Sequence, residues 1–200
     1  MALIGDILFY KGDLDAGLRH QFTLLPAAVD KISEPTFNAK SDEEIVELVL
    51  KDFRVEPLTL HTDQAEAKVE EGQAETRDHF RYHLPNGPMK VPGLKASKRI
   101  PFSGDPQLWK LKPNRYTLNP PYGEVRSNTL IIGITVPAAQ ANEAKEHIDS
   151  TLAKIPDYLN AQRAQLDEYN ARLPAEVARL IQQRRGRLGT AAELLKKLQG

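Results

Sequence analysis

Along residues 148–173 apolar side chains recur in alternating steps of four and three: Ile148, Leu152, Ile155, Leu159, Leu166, Tyr169 and Leu173, with Gln162 the single polar member of the series. That spacing places all eight on one stripe of a helix, the geometry of a seam against another element. Each apolar member gains roughly 1.5–3 kcal/mol on leaving water, so the stripe requires a cover. Two covers are open: the chain's own sheet, or a helix from a partner or a second copy. The series is longer than a typical globular helix, and a lone polar seam residue can fix register and strand number; both favour an assembly seam. Pro156 removes a backbone donor inside the stripe, which predicts a kink or break near Ile155 and favours a helix bent around a sheet.

Upstream, residues 3–32 carry a weakly helical pattern, with Leu14, Leu18, Phe22 and Leu25 ahead of Pro26 and the glycines at 5, 12 and 17 diluting it. Glu34-Pro35-Thr36 reads as a linker. Ser41 and Glu44 stand at capping-box spacing before Ile45, Val46, Leu48, Val49 and Phe53, which predicts a helix of about three turns. The period then shifts towards two. Residues 54–61, 65–69, 76–84, 97–102 and 108–111 read as strands, and 124–136 as two strands folded back at Ser127-Asn128. Strands this short and close, with no crossover helix between them, predict an antiparallel sheet. After Pro137 the pattern is helical again, with a new helix starting at Pro174, ending at Gly186 and Gly189, and a last one capped by Thr190 and Glu193. The predicted architecture is a single α+β domain over residues 1–200: a helical start (1–53), a twisted antiparallel sheet (about 54–136) and a long helical region (138–200).

Composition narrows the chemistry. No cysteine is present, which removes thiol nucleophiles and Cys-based zinc sites and fits a reducing compartment. Lysine plus arginine equals aspartate plus glutamate, 27 each, so no net field draws the chain to nucleic acid or an anionic membrane. No apolar run of about 18 residues occurs, and Met1–Phe9 lacks the basic lead of a signal peptide. The expectation is a cytoplasmic chain with no membrane partner.

Candidate chemistry is sparse. His79 and His83 would lie about 13 Å apart on a strand, too far to share a metal, and Phe80 stands where a helical metalloprotease motif needs glutamate. Neither Gly-x-Ser-x-Gly nor a Gly-rich phosphate loop occurs. Glu66-Ala67-Lys68, with Asp52 or Asp63 as upstream acid, has the literal form of a metal-dependent nuclease tripeptide, but alternating charges on a half-exposed strand explain it more simply. Residues 100–122 interleave Trp109 and Tyr116 with Lys110, Lys112 and Arg115, a composition that can stack bases and hold phosphates. Arg184, Arg185 and Arg187 form a second basic knot, placed by the pattern at a helix C-terminus where the dipole favours cations. No catalytic residue, metal or cofactor is predicted.

The phrases SDEEIVELVLKDFRVEPLTLH, IPFSGDPQLWKLKPNRYTLNPP and YNARLPAEVARLIQQRRGRL resemble an uncharacterised bacterial module at the N-terminal part of larger proteins, in which a TIR-type or restriction-endonuclease-like effector follows. The resemblance spans about residues 41–188 and rests on turn and core phrases, so it supplies no functional residues. It implies the sensing or assembly half of a defence-type system, or a stand-alone relative of it. The expected function is therefore a non-enzymatic module that self-associates or binds a protein partner. A nucleic-acid-binding domain is the first rival and a small nuclease the second.

Overall fold

The computed structural model describes residues 1–76, 89–114 and 119–199. The predicted strand 76–84 falls, apart from Thr76, outside them, as do His79, His83, Arg115 and Tyr116. In order, the elements are β1 (Ala2–Leu3), β2 (Asp6–Ile7), β3 (Gly12–Asp13), α1 (Leu14–Lys31), α2 (Glu34–Ala39), α3 (Asp42–Phe53), β4 (Thr59–Leu60), β5 (Glu66–Thr76), β6 (Met89–Ser103), β7 (Leu111–Lys112), β8 (Tyr122–Arg126), β9 (Thr129–Pro137) and α4 (Ala141–Gln199). The fold is α+β, with N-terminal helices, an antiparallel sheet and a long C-terminal helix. The chain divides into two compact units, Met1–Leu14 with Pro57–Arg163 and Asp15–Glu56 with Ala164–Gly200.

The first unit is the sheet with the first part of α4. Strand β9 is its centre, paired antiparallel with β6 from Pro101↔Thr129 to Gly93↔Pro137 and, on its other side, with β8 and then β1. Beyond β6 lie β5, in register from Glu66↔Arg99 to Thr76↔Met89, and the short β4. Strand β2 closes the opposite side on β8, and β3 and β7 form a separate parallel pair. Alternation along β9 buries Leu130, Ile132, Ile134 and Val136 on one face. Ala144 of α4 joins the cluster of Ile134 and Val136, so this face is the one the helix covers. Phe9 stacks on Tyr158 at 4.7 Å between ring centroids, and Trp109 meets Phe9 and Phe102, each at 5.4 Å.

Several expectations need correction in this unit. Residues 2–13 form three two-residue strands, not the start of a helix. Gly5 adopts φ +85°, and a Cβ there would lie 2.3 Å from the Gly123 carbonyl carbon. Only glycine lets the chain pass there from pairing with β9 to pairing with β8. Within residues 54–61 only Thr59–Leu60 pairs. Residues 108–111 are mostly a 3-10 turn (Pro106–Lys110), begun by Asp105, whose carboxylate accepts from the Gln107 amide at 2.8 Å. The hairpin of β8 and β9 turns at Ser127 as the pattern predicts, with φ 50°.

The second unit packs α1, α2 and α3 with the later part of α4. Leu25, Val29, Phe37, Ile45 and Leu50 are buried here, as are Leu166, Tyr169, Leu173, Val177 and Ile181. The capping box of α3 is present in both directions, Ser41 amide to Glu44 at 2.8 Å and Glu44 amide to Ser41 at 3.2 Å. Residues 34–36 are not a linker: they open α2, with Ser33 as N-cap and Pro35 in the first turn, where its missing donor costs nothing.

The largest correction concerns α4, a single helix of 59 residues. It neither breaks at Pro156 nor restarts at Pro174. Proline in a helix interior costs about 3 kcal/mol, and here Ile155, Tyr158, Leu173 and Val177, all buried beside the two prolines, hold the helix to its neighbours. Gly186 and Gly189 do not end it, and Thr190 is not an N-cap: its hydroxyl donates back to the Gly186 carbonyl at 3.1 Å.

Candidate interaction surface

The described basic residues of both predicted clusters are engaged within the protein; Arg115 lies outside the described residues. Trp109 is 1% exposed, so its face is closed to a base. Lys110 donates to Gln107 at 2.9 Å, and Lys112 is half-buried in β7. The polar cleft beside them, about 570 Å³, holds Asp6 paired with Lys11 at 3.0 Å, and Glu124 there pairs with Arg126 at 2.6 Å. In the second unit the arginine knot sits in the interior of α4, not at a helix end. Arg184, 8% exposed, lies 4.3 Å over the Phe37 ring and donates to the carbonyls of Val29 and Ile32, which end α1. Arg185 donates to Asp42 at 2.6 Å and Arg187 to Asp30. These arginines satisfy orphan carbonyls at the end of α1 and pair with one carboxylate at the start of α3 and one in the last turn of α1.

The stripe of α4 is likewise covered within the chain. Ile148, Ile155, Leu166, Tyr169 and Leu173 are buried. Gln162 donates to the carbonyls of Leu108 and Leu111 at 2.8 and 2.7 Å, so its polarity serves the end of the 3-10 turn. Buried positions run 144, 148, 151, 155, 158, 162, 166, 169, 173, 177, 180, 181 and 184, a stripe close to the 3.6 period of a straight helix rather than the 3.5 of a coiled coil. Leu152 and Leu159 therefore drift to the rim, where with Leu58 and Leu60 they line an apolar groove of about 270 Å³. Downstream, Tyr169 donates to the Phe53 carbonyl at 3.1 Å, and burial pushes its phenol up to about 12. Asn170 pairs with both backbone groups of Val55, at 2.9 and 3.2 Å.

Comparison with known proteins leaves this geometry to stand alone. No family model, curated protein or solved structure matches the chain.

What remains open is strand β5. Its inner edge pairs with β6 along its whole length, and among the described residues no strand pairs with its outer edge. Near its far end the Met1 amino group donates to the Glu75 carbonyl at 3.0 Å. Residues 66–73 are exposed, including Val69 at 63%. Ala96, the direct partner of Val69, packs towards Ala144, so Val69 and Ala67 belong to the face covered by α4. There they line an apolar groove of about 330 Å³ with Ile148 and Ala144. On the other face Lys68 pairs with Glu70 at 2.9 Å. That ammonium, hydrogen-bonded to Glu70, holds its carboxyl below the usual carboxylate range, with Lys95 on β6 adding to the effect. Lys68 of the nuclease-like tripeptide is thus ion-paired on an edge strand, and Asp52 belongs to the other unit. Among the described residues no group of three or more histidines and carboxylates is placed to hold a metal, and no helix is long and apolar enough to cross a membrane.

Sequence reasoning missed this edge because it took Pro57 as the mark of an edge strand or bulge in residues 54–61 and read 65–69 only as a further strand. The signal was present: glutamates, a lysine and a glycine on an eleven-residue strand are the marks of an edge.

Proposed function

We propose that the chain is a non-enzymatic interaction and assembly module that works by strand addition at β5. One observation carries this reading: a long outer edge, with no strand paired to it from Glu66 to Gln73 among the described residues, lies beside an apolar groove built with α4. Main-chain donors and acceptors on such an edge provide affinity for any extended segment, and the groove selects its side chains. The sequence resemblance over about residues 41–188 fits the same role, as the sensing or assembly half of a defence-type system.

Selection of a random-peptide display library on the purified protein tests the reading. Enriched peptides are expected to slow amide hydrogen exchange at residues 66–73. Peptides that protect only other surfaces, or no enrichment at all, would overturn it. The same reading predicts no turnover of DNA, RNA, ATP or NAD with magnesium or manganese. Turnover that vanishes in Glu66→Gln or Lys68→Ala would restore the nuclease alternative.

A further inference from the structure

Resting on that reading of the β5 edge, we infer that the occupant is the β5 strand of a second copy, paired antiparallel about Val69. Two identical edges that pair antiparallel in one continuous sheet are related by a two-fold axis perpendicular to it, which keeps each residue on its own face. Only registers that set one residue opposite itself satisfy this. The strand's charges then choose among them. Centring on Glu66, Lys68, Glu70 or Glu71 brings like charges face to face at the axis, centring on Gln73 sets Glu71 against Glu75, and centring on Gly72 sets Lys68 and Glu70 against uncharged residues. Centring on Ala67 leaves a short overlap, because residues 62–64 already belong to a 3-10 turn.

Centring on Val69 sets Val69 against its own copy and Lys68 against Glu70 of the other chain, twice. The overlap runs from Ala65 to Gln73. On the α4 face, the two valines meet between the two apolar grooves and lose their exposure together. On the opposite face, the Lys68–Glu70 pairs of both chains form a square of alternating charge. The glutamates that make β5 a poor partner for an arbitrary strand are the groups that fix this register. A single strand pair with its flanking grooves lies near or below the ~1,200 Å² of a standard interface, which places the dimer in the weak, concentration-dependent class.

Charge exchange tests the register. Lys68→Glu alone sets a new carboxylate against Glu70 twice, and Glu70→Lys alone sets a new ammonium against Lys68 twice; both variants are expected to sediment as monomers where the wild type is a dimer. Mixed in equal amounts they are expected to restore a heterodimer, and the double exchange K68E/E70K a homodimer. A role confined to the Lys68–Glu70 pair within one chain is restored by the double exchange as well, but predicts no restoration when the two single variants are mixed. A wild type that stays monomeric at several hundred micromolar, or single variants that dimerise as well as the wild type, would overturn the self-pairing. Binding of extended peptides separates the two failures: a monomer whose β5 amides are protected by selected peptides loses only the second copy, and a monomer that binds none loses the strand-addition reading as well.

Discussion

At the scale of single residues, the polar side chains that stand inside apolar patterns are answered by backbone groups of the same unit. Gln162, Tyr169, Asn170 and Arg184 each bond a carbonyl at the end of a helix or turn. None of these partners is visible from spacing, because the acceptor lies from 51 to 155 positions away. Trp109 shows the same limit. Its basic neighbours suggest a stacking platform, yet it is packed between Phe9 and Phe102. Trp109→Ala is expected to cost about 3–5 kcal/mol in urea unfolding, with native fluorescence blue-shifted from that of the unfolded chain. Its indole N–H is buried with no hydrogen-bond partner among the described residues, so Trp109→Phe gives up no hydrogen bond there and should cost less. Tyr169 gives a pH test. Its phenol ionises near pH 10 in the unfolded chain and at about 12 in the fold, because burial disfavours phenolate. The unfolded state therefore loses its proton first, and stability falls as pH rises from 10 towards 12. Thermal midpoints measured across that window should fall more steeply for the wild type than for Tyr169→Phe.

At the scale of elements, legibility followed the strength of local chemistry. The Ser41–Glu44 box and the β8–β9 hairpin were readable because each is closed by neighbours in sequence. The two-residue strands of the first 13 positions were not, because their partners are Gly123, Thr135 and Leu111, far along the chain. Punctuation residues misled most in α4: Pro156, Pro174, Gly186 and Gly189 all read as boundaries, yet the helix runs through all four, held by buried residues on either side of the prolines and on the N-terminal side of the glycines. That leaves the glycines with a helical cost and no compensating role. A Cβ at Gly186 or Gly189 would meet nothing within 4 Å. Gly186→Ala is accordingly expected to stabilise by about 0.5–1 kcal/mol and to raise helicity by circular dichroism. A decrease would mean that the helix ends near Arg184 in solution.

At the scale of the whole molecule, core and association surface can be told apart by how they respond to concentration. The α4 stripe reads as an assembly seam because a heptad-like series and a straight-helix series differ by only about 20° per heptad. Over the eight residues of the series, that drift moves just Leu152 and Leu159 to the rim, while Leu166 remains fully buried within the chain. Leu166→Asp therefore places a charge in a core and should lower the unfolding midpoint equally at every protein concentration. Val69 is the opposite case: an exposed side chain on an edge strand, whose replacement leaves the monomer intact. If only folded chains pair, mass action raises the wild-type midpoint as concentration increases. Val69→Asp sets two carboxylates against each other at the two-fold axis, so its midpoint should be flat with concentration and equal to the wild-type value at high dilution. Scanning calorimetry from a few micromolar to several hundred reads all three. A concentration-dependent midpoint in Val69→Asp would move the contact away from β5, and a Leu166→Asp variant that stays folded as a monomer would return the seam to the surface between chains.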